Sequence, residues 1–250
     1  MFVSDTHTVI DQVMSLIVQA AVSAVGRKGE FHLALSGGST PQPLYTRLAI
    51  DPDARNMPWL KTHLWIVDER QVPETDDQSN VKMIRETLAD HTPMRSRQIH
   101  AVPVEQEDPG AAYESQLREV FGQPEAPPRI DFMLLGMGDD GHTASLFPGS
   151  GAIGETERMV VVNEGPAVTP PPRVTMTYPL INAARIVGVL ITGDKKRQML
   201  WEVEKTWREK GADPDRLPIT GVSPQRGRLE WFIDHDAAGT DAEDEAIELA

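Results

Sequence analysis

Short apolar runs alternate with amphipathic segments along most of this 250-residue chain. A short apolar run is typical of a strand buried on both faces, whereas apolar residues at helical spacing indicate an amphipathic helix. Alternation of the two predicts an α/β fold, with a mostly parallel, doubly wound sheet and helices on both of its faces. A chain of this length can build a sizeable core, either in one large domain or in two small ones.

The predicted elements are bounded by recognisable signals. An amphipathic helix is expected over residues 8–26, where Gly26 and Gly29 end it, and Thr40 and Pro41 suit the N-cap and first turn of a helix that reaches about residue 48. Further helices are expected after residue 80, over residues 109–121 and over about twenty residues after residue 196. Strands are expected over residues 31–35, 63–67, 99–102, 130–135, 159–162, 173–177, 186–191 and 229–234. No linker forces a split, so we expect a single domain over residues 1–236 and an acidic, disordered tail over residues 237–250.

The apolar run at residues 130–135 leads into the loop that is richest in chemistry. Asp139, Asp140 and His142 follow the run and lie among glycines. Glycine permits positive φ and close backbone approach, and open α/β sheets build their sites at the carboxyl ends of strands. A histidine held there beside carboxylates is a candidate general base. We therefore expect the chemistry to be centred on His142.

Other interpretations of this loop have less support. Residues 136–141 spell the GxGxxG of dinucleotide-binding folds, but Pro148 interrupts the helix that should follow, and two aspartates would repel a pyrophosphate. A single histidine makes a poor zinc site, and Ser145 lacks the glycine elbow of a serine hydrolase. A hydrogen-bonded core histidine is the remaining alternative for His142, which the neighbouring carboxylates and glycines disfavour.

A second glycine-rich turn follows the strand at residues 31–35 and precedes a predicted helix. It consists of Ser36, Gly37, Gly38, Ser39 and Thr40. The free backbone N–H groups of such a turn suit an anion, and a plain tight turn is the alternative. The turn lacks the lysine of a Walker loop, so nucleotide binding is not expected.

Charged residues at strand ends complete the candidate site. Asp68 and Arg70 end the strand at residues 63–67, although a solvated loop with an ion pair would have the same pattern. Arg70, Arg173 and Lys196 lie on loops expected at one edge of the sheet, and together they suggest a phosphate clamp. Lys195 competes with Lys196 for this role, and spacing alone does not choose between them.

Composition excludes several classes of function. The chain has no cysteine, which rules out disulfides, thiolate metal sites and a cysteine nucleophile. A net charge of -14 argues against nucleic acid as a partner. The N-terminus shows no signal peptide, and no run approaches the roughly 18 apolar residues of a membrane span. We expect no membrane partner and a cytoplasmic location.

These motifs together resemble the 6-phosphogluconolactonases of the pentose phosphate pathway. The matching segments occur in that family's order, at residues 36–41, 67–70 with 79–80, 136–148, 173–175 and 192–196. The most diagnostic is Gly-His-Thr-Ala-Ser-Leu-Phe-Pro at residues 141–148. The resemblance implies a Rossmann-like three-layer α/β/α sandwich, shared with glucosamine-6-phosphate deaminases and sugar-phosphate isomerases. It also implies a hydrolase that needs neither a metal nor a cofactor, and it selects Lys196 over Lys195.

The activity implied by this resemblance is hydrolysis of 6-phospho-D-glucono-1,5-lactone to 6-phospho-D-gluconate. His142 would be the base that activates water, and Asp140 or Asp68 would orient its imidazole. Arg70, or a backbone N–H of the glycine loop, would stabilise the tetrahedral oxyanion.

The same resemblance places the substrate phosphate on the turn of residues 36–40, held by Arg173 and Lys196. The implied partner is a small molecule, and the protein is expected to be a monomer or a small homo-oligomer. Deaminases carry Ile-Ala-Phe-Asn-Glu-Pro after the Gly-His pair, where residues 143–148 of this chain are Thr-Ala-Ser-Leu-Phe-Pro, which favours lactone hydrolysis. A sugar-phosphate sensor without activity is the other alternative, but such sensors usually carry a DNA-binding segment, and this chain has no basic stretch.

Overall fold

A seven-stranded parallel sheet forms the centre of the molecule. The computed structural model describes residues 1–123, 125–165 and 167–240, so residues 241–250 of the predicted acidic tail lie outside the described residues. The strands are β1 (Phe2–Ser4), β2 (Phe31–Leu35), β3 (Thr62–Ile66), β4 (Asp68–Arg70), β5 (Ile99–His100), β6 (Phe132–Leu135), β7 (Val160–Asn163), β8 (Arg173–Met176), β9 (Ile186–Ile191) and β10 (Arg228–Asp234). The helices are α1 (Thr6–Lys28), α2 (Gln42–Ile50), α3 (Asn80–Thr87), α4 (Pro109–Val120), α5 (Tyr178–Ile181), α6 (Arg197–Lys210) and α7 (His235–Ala238).

The order of the large sheet is β1-β10-β9-β6-β2-β3-β5, and every neighbouring pair is parallel. The prediction of a mostly parallel sheet in a three-layer α/β/α sandwich is confirmed. β2 and β9 have the predicted bounds, and the other predicted strands differ by one or two residues at an end, as hydrogen-bonded strand ends commonly do. Strands buried on both faces carry a strong apolar signal, which is why they were found.

A second, three-stranded sheet of order β4-β8-β7 is antiparallel and was not predicted from the sequence. The chain passes between the two sheets at Val67. This residue donates its N–H to the carbonyl of Leu35 in the large sheet and accepts the N–H of Met176 in the small one. The small sheet therefore begins directly where β3 ends, at the carboxyl edge of the large sheet.

Several helix boundaries differ from the prediction. α1 is longer than the predicted 8–26 at both ends, and Gly29 caps it while Gly26 lies inside it. α2 begins at Gln42, and Pro41, not Thr40, occupies the N-cap, without a side-chain capping bond. α6 has 14 residues, fewer than predicted, because Gly211 adopts φ 81° directly after it. A glycine in the left-handed region is a common helix stop.

Helix α1 is long and apolar enough, by length and composition, to cross a membrane, with a mean hydropathy of 1.6 over its most apolar window. A run of this length was not expected from the sequence. Seven of its side chains are buried against the rest of the fold: Val9, Ile10, Val13, Met14, Ile17, Ala21 and Ala24. Packing on the sheet thus accounts for the apolar face of α1.

Candidate active site

A cavity of about 320 Å³ lies at the carboxyl ends of β2, β6 and β9, which are neighbours at the centre of the large sheet. Ligands of open α/β sheets bind at this edge. Residues from the two glycine-rich loops and from β4 meet here, as the sequence predicted. All the predicted site residues line the cavity except Asp140, which contacts His142, and Arg173.

The turn of residues 36–40 is anchored at its first residue. Ser36 donates its hydroxyl to the carbonyl of Leu134 at 2.9 Å, and its own carbonyl accepts the hydroxyl of Tyr45 at 2.6 Å. Gly38 has φ 94°, which a residue with a side chain rarely adopts. In the described part of the chain, the backbone N–H groups of residues 37–40 donate no hydrogen bond. The turn therefore presents a set of free donors to the cavity.

Asn80 lines the cavity, a role that its place in the matching segment at residues 79–80 did not reveal. Its side-chain N–H donates to the carbonyl of Asp68 at 2.6 Å, and its Oδ1 accepts the Nη1 of Arg70 at 2.9 Å. A Cβ on Gly37 would lie 1.8 Å from Asn80 Oδ1, so the close approach of the turn requires glycine. The Ser79-Asn80 pair at a helix start was the only local signal for this residue.

Glu69 lies between two cavity residues but serves the fold. It is 2% exposed, and its carboxylate accepts the backbone N–H groups of Asn80 and Val81 at 2.7 and 2.8 Å. Burial raises the pKa of Glu69, although these backbone bonds oppose the shift. The carboxylate thus ties β4 to the start of α3.

Among the described residues, no group of three or more His, Cys, Asp or Glu side chains is arranged to hold a metal ion.

His142 is held by the neighbouring aspartate. Its Nδ1 lies 2.5 Å from Asp140 Oδ1, and the same oxygen accepts the backbone N–H of His142 at 3.0 Å. Burial acts to raise the pKa of Asp140, but the side-chain and backbone hydrogen bonds from His142 outweigh it and lower that pKa. A Cβ on Gly138 would lie 2.1 Å from His142 Nδ1, so this ring position also requires glycine. With Nδ1 engaged, Nε2 is the ring nitrogen left for a ligand.

Lys196 lines the cavity, whereas Lys195 is exposed outside it. Its Nζ lies 2.5 Å from Asp139 Oδ1, in a pair whose side chains are 20% and 78% exposed. Asp139 is a partner of this lysine that the sequence does not predict. The ammonium group of Lys196 is therefore paired with an exposed carboxylate, not with a buried one.

Arg173 does not line the cavity, and in the described part of the chain its side chain has no hydrogen bond to a residue that does. It is 7% exposed and lies opposite Arg70 in the β8–β4 pairing. Burial, and next the charge of Arg70, lower the pKa of Arg173, while Asp68 and Glu69 oppose this shift. Its Nε and Nη1 are enclosed and have no hydrogen-bond partner in the described part of the chain. Arg173 thus lies behind the site, next to a residue that lines it.

The sequence and the fold of this chain are similar to those of known proteins. A family model described as glucosamine-6-phosphate isomerases/6-phosphogluconolactonase matches residues 4–231. The chain is 38% identical over 241 residues to a 6-phosphogluconolactonase of a Nostoc species, covering 95% of both proteins. It superposes on the crystal structure of a 6-phosphogluconolactonase from Thermotoga maritima with a TM-score of 0.76 and 30% identity, over 93% of this chain and 98% of that one.

Longer proteins also match. The chain is 42% identical over 236 residues to the GDH/6PGL endoplasmic bifunctional protein of Oryctolagus cuniculus. The match covers 91% of this chain but only 28% of that protein. The similarity to this relative is therefore confined to less than a third of its length.

Proposed function

The chain belongs to the glucosamine-6-phosphate isomerase/6-phosphogluconolactonase family, and from this premise we propose that it is a 6-phosphogluconolactonase. The reaction is hydrolysis of 6-phospho-D-glucono-1,5-lactone to 6-phospho-D-gluconate, the second step of the oxidative pentose phosphate pathway. Relatives of similar length that carry this name support the proposal. The observation that carries it is the pairing of His142 with Asp140 beside a turn of free N–H donors in one cavity.

The imidazole supplies the proton chemistry of the proposed mechanism. Asp140 accepts the Nδ1 proton of His142, which leaves the lone pair of Nε2 free to take a proton from water. The resulting hydroxide attacks the lactone carbonyl carbon, and the anionic Asp140 stabilises the imidazolium. When the tetrahedral intermediate collapses, its bond to the ring oxygen breaks and His142 returns the proton to that oxygen. The base is thus regenerated, with neither a metal nor a cofactor in the scheme.

The tetrahedral intermediate carries its negative charge on the former carbonyl oxygen. Arg70 lines the cavity and is steadied by Asn80. We assign Arg70, or a backbone N–H of the loop at residues 136–141, as the donor to this oxyanion. A donor of this kind commonly contributes about 3 kcal/mol to the transition state.

The phosphate would occupy the turn of residues 36–40. Its oxygens would accept the free N–H groups there and pair with Lys196, which would then exchange Asp139 for the phosphate. Arg173 remains a proposed second cation, and its two unpartnered nitrogens support that role. It would have to turn toward the cavity from its position behind Arg70. A cytoplasmic location, the lack of nucleic-acid and membrane partners, and the oligomeric state stay predictions.

Release of acid from freshly made 6-phosphogluconolactone, corrected for spontaneous hydrolysis, tests the activity. Fast release from the phosphorylated lactone but not from gluconolactone would support both the reaction and the phosphate site. Ammonia release from glucosamine 6-phosphate, without lactone hydrolysis, would instead assign the chain to the deaminase branch.

His142→Ala tests the base. We expect turnover to fall by about 10²–10⁴-fold, because general-base assistance is lost, while KM changes little. His91→Ala, which removes an exposed imidazole bonded to the carbonyl of Glu86, is the matched control and should leave turnover unchanged. Unchanged turnover in His142→Ala would remove this residue from the mechanism.

A further inference from the structure

Asp68 is a second carboxylate in the cavity, and its surroundings differ from those of Asp140. It is 8% exposed, and its Oδ2 accepts the hydroxyl of Ser145 at 2.5 Å. In the described part of the chain its other oxygen, Oδ1, makes no hydrogen bond, although Asp68 lines the cavity. Because Asp140 holds His142, Asp68 is not needed to orient the base. Asp68 thus has one oxygen fixed and one available to a ligand.

Ser145 is itself fixed by the small antiparallel sheet. Its N–H donates to Thr175 Oγ1 on β8 at 3.1 Å, and its carbonyl accepts Asn163 Nδ2 from β7 at 2.7 Å. Ala144, directly before it, has φ 50°, a left-handed conformation that is unfavourable for a residue with a side chain. The hydrogen bonds of Ser145 to β7 and β8 therefore hold Ala144 in a strained conformation, and they fix the direction of the Ser145 side chain.

This arrangement does not suit a nucleophile. Ser145 is 2% exposed and is not among the residues that line the cavity. Its hydroxyl contacts the Asp68 carboxylate, and within the described ranges no imidazole is hydrogen-bonded to it. Ser145 can therefore act on a ligand only through Asp68.

We propose that Ser145 is a positioning residue that aims Asp68 Oδ1 at a ring hydroxyl of the lactone. The inference rests on the proposed function, because the lactone is the substrate assigned there. A hydroxyl that donates to an ionised carboxylate makes a strong hydrogen bond. A site built around such a contact rejects analogues that lack the hydroxyl. With Oδ2 clamped, the carboxylate cannot rotate away from the ligand, so the pair selects hydroxylated lactones.

The test combines Ser145→Ala with 6-phosphogluconolactone and its 2-deoxy, 3-deoxy and 4-deoxy analogues. We expect Ser145→Ala to lower kcat/KM for the complete lactone by about 10- to 100-fold, the effect of one hydrogen bond to a charged group. The deoxy lactone that lacks the hydroxyl bound by Asp68 should be a poor substrate for the unmodified protein. For this lactone, Ser145→Ala should lower kcat/KM by less than about a further threefold, because the contact with Asp68 is already absent. Ser150→Ala is the matched control, since Ser150 bonds to Asn163 but not to Asp68.

The same loss on all four lactones, or equal effects of Ser145→Ala and Ser150→Ala, would overturn the inference. Thermal unfolding of each variant shows whether the fold is retained. Ser145→Cys keeps the shape of the side chain but replaces the hydroxyl by a larger atom that is a weak donor. If the alanine variant fails to fold, this variant should show the same pattern of losses among the four lactones.

Binding of 1,5-anhydroglucitol 6-phosphate and its deoxy forms, measured by calorimetry, gives the same comparison without turnover. If the unmodified protein binds these rings but hydrolyses no lactone, the proposed function alone is refuted. The role of Ser145 is then decided by comparing how the unmodified protein and Ser145→Ala bind the complete and the deoxy rings. Binding that does not change in Ser145→Ala would refute this inference alone. A parent that binds none of the rings would overturn both.

Discussion

Acid should weaken this fold through a histidine cluster at the end of the sheet remote from the cavity. His32, His63 and His100 lie on the adjacent strands β2, β3 and β5, with His32 opposite His63 in the pairing. The rings of His32 and His63 are 4.9 Å apart, and Trp65 stacks on His100 at 3.8 Å. The perturbation is a change from pH 8 to pH 5, combined with removal of one of these imidazoles.

Hydrogen bonds require His32 to be neutral. Trp65 Nε1 donates to His32 Nδ1 at 3.1 Å, so Nδ1 carries no proton, and Nε2 faces Glu30 at 3.1 Å. A proton on Nδ1 would set two N–H donors against each other. The same conflict arises between His63 Nδ1 and His100 Nε2, which are 3.0 Å apart and of which only one can donate.

The magnitude follows from the pKa values. Burial, assisted by the charge of Lys28, lowers the pKa of His32 from 6.5 to about 3. Burial also lowers the pKa of His100 to about 4. Between these values and pH 6.5 the unfolded chain binds protons that the folded chain does not, so stability falls as the pH falls through this window. At pH 5, His32 alone should cost about 2 kcal/mol of unfolding free energy relative to pH 8, and His100 adds in the same direction.

Urea unfolding of the parent and of His32→Gln at pH 8 and pH 5 measures this term. Glutamine offers an acceptor to Trp65 and does not titrate, so the loss of stability between the two pH values should be about 2 kcal/mol smaller in the variant. Only the difference across pH is compared, since the substitution also changes packing at both values. His7→Gln, which removes an exposed imidazole, should show the parent's pH dependence. An equal pH dependence in His32→Gln and the parent would refute the reasoning.

Two further predictions concern the cavity. Gly138→Ala should reduce kcat by at least about tenfold with the fold retained, because the added Cβ would lie 2.1 Å from His142 Nδ1 and would displace the ring. Gly151→Ala, whose Cβ would have no atom within 4 Å, should match the unmodified protein in steady-state assays. Equal kcat values in the two variants would contradict the geometry. Asp139→Asn should lower KM for the phosphorylated lactone by up to about fivefold without changing kcat, because the exposed pair with Lys196 no longer competes with the phosphate. A raised KM would instead show that Asp139 helps to hold the substrate.

Local patterns in the sequence predicted much of the fold and part of the site. The apolar runs that became β2 and β9 were located to the residue, since burial on both faces leaves a continuous apolar signal. The loop around His142 and the turn of residues 36–40 were found because glycine breaks at strand ends are also local signals. Asn80 and Asp139 were not assigned roles, because a polar residue near a helix start or in a charged loop looks the same whether it is solvated or serves a site.

Local patterns in the chain specify the order of its longer strands and helices, the glycine-dependent loops and the aspartate two residues before His142, but not the short elements β1, β4, α5 and α7. Which distant side chains meet depends on how the whole chain folds. Asp68 and Ser145 are 77 positions apart, Lys196 and Asp139 are 57 apart, and each pair is joined by a side-chain contact of 2.5 Å. The passage of the chain to a second sheet at Val67 brings Asp68 to Ser145 and leaves Arg173 behind the cavity. Periodicity and turn signals act over a few residues, whereas such contacts depend on how the sheets and loops pack against each other.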